Sequence, residues 1–289
     1  MDRLEQLSKE FEEFLKANAP QVGGFHPHYQ KALWEMMDAG GKRFRPMLCL
    51  CVVDSLSPAM LPNAFLPALA LESLHTYSLI HDDLPCMDNS PLRRGFPTLH
   101  TTYNETLALL VGDALNTYAF ELLSLSKLSP EVKVLLIYEL SHNAGASGMV
   151  LGQVLDCEFE NKKISFEELK IIHQNKTLKL IATSLKFGAI IANVSEEIML
   201  KLENLGNDLG LFFQVRDDLI DVLESQEQAG KRVQNDLQKN TYVTLLGLEG
   251  AKTQARTLAK NIKTALDSLP SRLRGNLSEM LKPYLKSYV

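Results

Sequence analysis

An all-α fold is what this sequence predicts, and three observations predict it. Apolar residues recur at three- and four-residue spacing over long stretches, and runs of strict apolar/polar alternation are nearly absent. Turn-forming residues punctuate the chain locally, with no Pro/Ser-rich linker, internal repeat or low-complexity segment to divide it. A single helical domain over 1–289 follows as the expectation.

The breaks define the elements in turn. Helix 2–18 stops at Asn18-Ala19-Pro20, and Gly23-Gly24 separates it from 27–38. Gly40-Gly41 precedes 43–56, and Ser57-Pro58 closes it. The next helix, 66–84, runs into Pro85, which ends or kinks it. Pro91 and the stretch Gly95 to Pro97 keep the chain irregular before 103–126. Ser129-Pro130 opens 130–147, and 150–158 follows. Unbroken periodicity marks 166–191 and 196–222. The polar stretch Glu224 to Asn240 then separates these from 241–267 and 271–287.

Composition removes several function classes. The 289 residues are 45% apolar and 22% charged, with mean hydropathy −0.07. That suits a chain with a sizeable core and excludes disorder, collagen and a disulfide scaffold. Thirty Lys+Arg against 35 Asp+Glu give net charge −5, which argues against nucleic acid as a partner. Cys49, Cys51, Cys86 and Cys157 contain no CxxC pair and read as reduced thiols of a cytoplasmic protein, with Cys49 and Cys51 as packing residues. The opening residues, Met1 to Glu5, lack a basic and then apolar signal pattern, and no uninterrupted apolar run approaches the ~20 residues that cross a bilayer. No membrane anchor is expected.

Two carboxylate clusters carry the chemistry, because each interrupts or ends an apolar helix where unpaired charge is costly. In Leu79-Ile80-His81-Asp82-Asp83-Leu84-Pro85-Cys86-Met87-Asp88, Pro85 is positioned to let Asp88 fold back beside Asp82 and Asp83. In Gln214-Val215-Arg216-Asp217-Asp218-Leu219-Ile220-Asp221, the i,i+4 and i,i+3 spacings put Asp217, Asp218 and Asp221 on one helical face. Either cluster alone reads equally as a solvated helix end. Two of them supply hard oxygen ligands of the kind Mg²⁺ accepts, and Mg²⁺ completes its octahedron with water and substrate phosphates. A phosphate is therefore the expected third party.

Basic residues answer that expectation. Gly40-Gly41-Lys42-Arg43-Phe44-Arg45-Pro46 sets a glycine pair ahead of three cations at a helix start, where Lys42, Arg45 and backbone N–H groups can converge on phosphate. Arg93-Arg94-Gly95 follows the first aspartate cluster closely, so anion-binding and metal-binding groups are neighbours in the chain. Lys176-Thr177, Lys231-Arg232 and Lys239 are weaker signals.

Taken in order, these blocks, with Glu72 to Asp83, Gly112-Asp113-Ala114-Leu115, Gly152-Gln153 and Lys239-Asn240-Thr241-Tyr242, resemble the trans-prenyl diphosphate synthases, and among them the bacterial farnesyl diphosphate synthases. The resemblance implies an all-helical domain with a central substrate cavity, the two aspartate motifs facing each other across its mouth, and a homodimer. It implies condensation of isopentenyl diphosphate with dimethylallyl and geranyl diphosphate to give farnesyl diphosphate. Carried over by residue, Asp82, Asp83, Asp88, Asp217, Asp218 and Asp221 hold Mg²⁺, about three ions per site, with Mn²⁺ as a substitute. Arg93, Lys176, Gln214, Lys231 and Lys239 grip the allylic diphosphate, with Thr177 nearby. Gly41, Lys42, Arg45, His75 and Arg94 hold isopentenyl diphosphate. The resemblance gives the catalytic set as Asp82, Asp83, Asp88, Arg93, Lys176, Asp217, Asp218 and Lys231.

Product length is expected to follow the depth below the first motif. Tyr77 and Ser78 lie about one turn before Asp82, and a tyrosine there resembles the floor of a C15 pocket. The chain departs from the family pattern at Asn89-Ser90, at Leu151, at Val243 and in a stretch before Thr241 that looks about two residues short, which unsettles the placement of Lys239. Alternative readings are a geranylgeranyl diphosphate synthase, a class I terpene cyclase and a regulatory subunit of a heteromeric synthase. The second phosphate clamp speaks against the cyclase, and the intact aspartates speak against the regulatory subunit.

Overall fold

The computed structural model describes residues 3–228 and 240–288. Its contacts group into two compact units, Met1–Ile137 with Ile190–Ala192, and Tyr138–Ala189 with Asn193–Val289.

In the first unit, α1 (Arg3–Ala17), α2 (Tyr29–Asp38), α3 (Phe44–Leu56), α4 (Leu61–Asp82), the short α5 (Leu99–Thr102) and α6 (Glu105–Leu125) follow in order, and α7 (Pro130–Ala144) begins. Helix α4 is the core element, packing on α1, α2, α3 and α6. It is apolar on all sides, from Leu61, Ala64 and Ala68 to Leu74, Tyr77 and Ile80, which is the pattern of a fully enclosed helix. Helix α3 is enclosed likewise, with Cys49 and Cys51 fully buried and their thiols pushed well above the ordinary range by desolvation. Helix α6 is apolar enough in composition to span a bilayer. However, it carries Asp113 and Glu121, and its Leu107, Val111, Leu115 and Leu122 are buried within the protein.

The second unit contains α8 (Met149–Glu158), α9 (Phe166–His173), α10 (Lys179–Ile191), α11 (Glu196–Gln228), α12 (Tyr242–Asp267) and α13 (Ser271–Leu285). Here the sequence expectation of one helix over 166–191 is corrected. A π-helical turn, Gln174–Leu178, interrupts it and carries Lys176 and Thr177. Its neighbours come close enough to leave no room for side chains. A Cβ on Gly152 of α8 would stand 2.2 Å from the Lys176 nitrogen, and one on Gly210 of α11 would stand 2.6 Å from the Leu178 Cα. The glycine of the Gly152-Gln153 block is thus a close-approach residue.

Other boundaries moved for identifiable reasons. Helix α4 starts five residues before the expected 66 because proline is tolerated in its first turn, and it runs on through a buried Pro67. The expected 103–126 is α6, with the unexpected short α5 ahead of it and the Asn104 side chain capping α6 by accepting from the Leu107 N–H at 2.8 Å. A two-stranded hairpin, β1 (Leu92–Arg93) with β2 (Phe96–Pro97), was not expected at all. Its turn residues Arg94 and Gly95 have φ of 55° and 80°, the paired positive dihedrals of a type I′ turn. Asn89 also has positive φ, at 48°, so this departure from the acidic pattern occupies a turn position that asparagine tolerates.

Gly152→Ala is expected to destabilise the protein by about 1–3 kcal/mol through overpacking, because the atoms it meets are backbone. Thermal denaturation of the variant measures this, and a melting temperature equal to that of the parent refutes the packing account.

Candidate active site

The first aspartate cluster is built by the way α4 ends. Asp83 caps the helix, and Pro85 prevents its continuation. The chain then turns back, with the Asp88 N–H donating to the Asp82 carbonyl at 2.8 Å and the Ser90 N–H to the Asp83 carbonyl at 3.2 Å. Asp88 therefore lies beside the last helical turn, as its spacing predicts. Asp82 is half-buried and Asp88 exposed, whereas Asp83 is only 2% exposed. Burial pushes the Asp83 carboxyl upward, the Arg93 guanidinium opposes this, and Asp88 adds to the push. Arg93 Nε donates to both Asp83 oxygens at 2.9 and 3.2 Å, and Nη2 makes a further short contact.

The loop before α3 holds the second group of cations, and it sorts them by role. Gly40 and Gly41 have φ of 81° and 130°, and Arg43 has φ of 45°. Arg43 is enclosed, donating from Nε to Glu12 at 2.7 Å, from Nη1 to Glu72 at 2.9 Å and from Nη2 to the Met37 carbonyl at 2.5 Å. It is a structural cation. Lys42 is exposed and Arg45 half-buried. Arg45 Nη1 lies 3.1 Å from His75 Nε2. Burial, reinforced by Arg45, Arg94, Arg93 and Arg43, holds the imidazole neutral, so that Nε2 accepts this bond. Arg94 Nη1 donates to the Gly40 carbonyl at 2.5 Å and to the Met36 carbonyl at 3.2 Å. Gly41, Lys42, Arg45, His75 and Arg94 thus share one neighbourhood with the end of α4. On α4 itself, Tyr77 is buried with its ring edge-on to His81 at 5.5 Å, and Ser78 Oγ donates to the His75 carbonyl at 2.8 Å.

In the second unit a relay of side chains joins the π turn to the other aspartate cluster. Thr177 Oγ1 donates to Gln214 Oε1 at 3.1 Å, and Gln214 Nε2 donates to Asp218 Oδ1 at 3.2 Å. The other Asp218 oxygen accepts from the Tyr242 N–H at 2.8 Å, at the start of α12. Lys176 Nζ reaches Asp156 Oδ2 at 2.5 Å, a partner the sequence reading did not include. The three aspartates of this cluster are not equivalent. Asp217 and Asp221 are exposed, whereas Asp218 turns inward and its carboxyl is pushed up to about 6, chiefly by burial. Lys231 and Lys239 lie outside the described residues.

Among the described residues no group of three or more His, Cys, Asp or Glu side chains is arranged to hold a metal ion. The carboxylates of the Asp82 to Asp88 turn are hard oxygen donors of the kind Mg²⁺ accepts together with water and phosphate oxygens.

A family model, polyprenyl synthetase, matches residues 26–273. This chain belongs to the polyprenyl synthetase family. As a polyprenyl synthetase it is a prenyltransferase. It is 42% identical over 245 residues to the farnesyl diphosphate synthase of Bacillus subtilis, covering 83% of this chain and 82% of that one. It is 43% identical over 252 residues to a chloroplastic geranylgeranyl pyrophosphate synthase of Capsicum annuum, covering 85% of this chain and 68% of that one. Among solved structures, a geranyltransferase from Helicobacter pylori complexed with magnesium and isoprenyl diphosphate superimposes with TM-score 0.90 at 46% identity, covering 98% and 96% of the two chains.

One buried group gives this polyprenyl synthetase a testable acid response. His173 is buried with Nδ1 unpartnered, its ring stacked on Tyr242 at 5.4 Å, and burial lowers its pKa from 6.5 to about 4. Between those values the unfolded chain binds a proton there that the folded chain does not, so stability present above pH 6.5 is lost as pH falls toward 4. The loss is on the order of 3 kcal/mol. His173→Phe, which keeps the stacking, is expected to flatten the fall of melting temperature over that range; an unchanged slope assigns the loss to another group.

Proposed function

We propose that this polyprenyl synthetase condenses isopentenyl diphosphate with dimethylallyl and geranyl diphosphate, giving farnesyl diphosphate and diphosphate. The observation that carries the reading is the pairing of two kinds of site in one neighbourhood. A carboxylate turn with Arg93 lies next to a second set of cations, Arg45 and Arg94 around a neutral His75, with Lys42 on the loop that leads into α3. A cyclase needs only the first.

In this reading Asp82, Asp83 and Asp88, with Asp217, Asp218 and Asp221, hold magnesium at the allylic diphosphate. Bound magnesium supplies neutralisation of the charge that develops on the departing diphosphate. The count is about three ions, with manganese as a substitute. Arg93, Lys176 and Gln214 grip the same diphosphate, with Thr177 orienting Gln214, and the resemblance adds Lys231 and Lys239. Gly41, Lys42, Arg45, His75 and Arg94 hold isopentenyl diphosphate so that its alkene is the nearest nucleophile to the allylic cation. The proton lost at the end passes to the released diphosphate. Tyr77, buried one turn before Asp82, supports a C15 floor over the C20 product named for the Capsicum annuum relative.

We read the enzyme as a cytoplasmic homodimer. The buried thiols Cys49 and Cys51 support the first part. Exposed apolar side chains, Leu109 and Leu110 on α6 and Val134 and Leu135 on α7, support the second. Sedimentation is expected to give twice the 32.3 kDa chain mass, and a monomer at micromolar concentration overturns the dimer.

Product analysis with Mg²⁺, isopentenyl diphosphate and separate C5, C10 and C15 starters tests the reaction. Farnesyl product from C5 and C10 with little extension of C15 is expected, and efficient C15 extension overturns the chain length. Tyr77→Ala is expected to lengthen the product; unchanged products place the floor elsewhere. Asp82→Ala and Asp217→Ala are each expected to lose most turnover with helical content intact, and near-normal turnover in either removes the metal assignment.

A further inference from the structure

Glu72 holds none of the roles given above, yet it is among the most enclosed charges in the protein, 1% exposed in the middle of α4. A lone carboxylate in that position is strongly destabilising. Two guanidiniums share one of its oxygens, with Arg43 Nη1 at 2.9 Å and Arg94 Nη2 at 3.5 Å from Oε1. Both arginines then reach the same strip of backbone. Arg43 donates to the Met37 carbonyl, and Arg94 to the carbonyls of Met36 and Gly40. Met36 and Met37 lie in the last turn of α2, where carbonyls lack helical partners.

The dihedrals of the loop that follows are left-handed at Gly40, Gly41 and Arg43, which excludes a regular helical or strand ladder there. Gly41 lies so near Arg94 that a Cβ would stand 2.8 Å from its Cζ. The position of Arg94 therefore sets the path of the loop. Arg43 and Arg94 repel one another, and Arg94 is held below its usual range by burial, with Glu72 opposing that shift and Arg43 adding to it. Glu72 is the counter-charge that lets the two cations lie together.

We propose that Glu72 is a positioning residue for the isopentenyl diphosphate clamp, fixing Arg94 and the Gly40–Arg43 loop in the shape that presents Gly41, Lys42 and Arg45 to the substrate. The inference rests on the assignment of that clamp under Proposed function. Glu72 acts through the two arginines and does not itself touch substrate. Glu12 supplies the comparison, since it pairs with Arg43 at 2.7 Å but its side chain is one-third exposed, and only Glu72 joins Arg43 to Arg94.

The test uses the full-length enzyme with Glu72→Gln, Glu72→Asp and Glu12→Gln, and two readouts. The first is amide hydrogen exchange across residues 39–43 without substrate; the second is KM for isopentenyl diphosphate against KM for geranyl diphosphate. Glu72→Gln is expected to raise exchange in the loop and to raise KM for isopentenyl diphosphate about tenfold, with KM for geranyl diphosphate changed less than about twofold. Glu12→Gln is expected to leave KM for isopentenyl diphosphate within about twofold. An unchanged KM in Glu72→Gln, an equal rise for both substrates, or an equal effect of Glu12→Gln overturns the proposal. Should Glu72→Gln fail to fold, Glu72→Asp keeps the charge but shortens its reach, and carries the same expected and overturning results. Should the parent enzyme not turn over isopentenyl diphosphate, the functional assignment falls; loop exchange then decides alone, and unchanged exchange in Glu72→Gln or Glu72→Asp overturns the positioning role.

Discussion

An enclosed apolar helix that carries ionised carboxylates must bring cations into the protein with it, and that constraint shapes the whole first unit. Helix α4 is surrounded by α1, α2, α3 and α6, yet it contains Glu72 and is capped by Asp83, both nearly inaccessible. Each acquires arginine. Asp83 takes Arg93, and Glu72 takes Arg43 and Arg94. Arg93 and Arg94 both sit on the short hairpin that follows α4, so the cost of desolvating the helix is met by the loop its own proline creates. The result is a set of arginines fixed around the helix by its own buried carboxylates.

The second unit solves the corresponding problem with dipoles. Asp218 is buried, but its oxygens accept from the Gln214 amide and the Tyr242 N–H. Burial raises both carboxyls: at Asp218, pushed up to about 6, the Tyr242 N–H and the Gln214 amide oppose it, whereas at Asp83 the Arg93 guanidinium does. The Asp218 bond also ties the first turn of α12 to α11. Two turns of sequence that look alike, each with adjacent aspartates, are thus enclosed in different ways.

Much of this was legible in the sequence, and the physical reason lies in range. The helices announced themselves through local periodicity, and Pro85 announced the return of Asp88, because both depend on neighbours a few residues away. The hairpin did not, since strands of two residues have no period to detect. The π turn at Gln174–Leu178 was hidden because one wide turn shifts the phase of an apolar pattern without breaking it. Glu72 and Arg43 were visible as residues but not as a pair, for 29 positions separate them. The inward turn of Asp218 likewise needed Tyr242, which reaches it from another helix. Lys176 was singled out, whereas its partner Asp156 carried no motif of its own.

The hairpin turn has one more consequence. Arg93 and Arg94 are consecutive, but the left-handed backbone at Arg94 sends their guanidiniums to different carboxylates, one at the end of α4 and one in its middle. The register of a two-residue turn thereby acts as an address: it decides which arginine goes to which destination, although the two side chains are chemically identical. Slipping the register by a single position would move Arg94 into the place of Arg93 and leave Glu72 without its second arginine, although every charge in the sequence would stay in place.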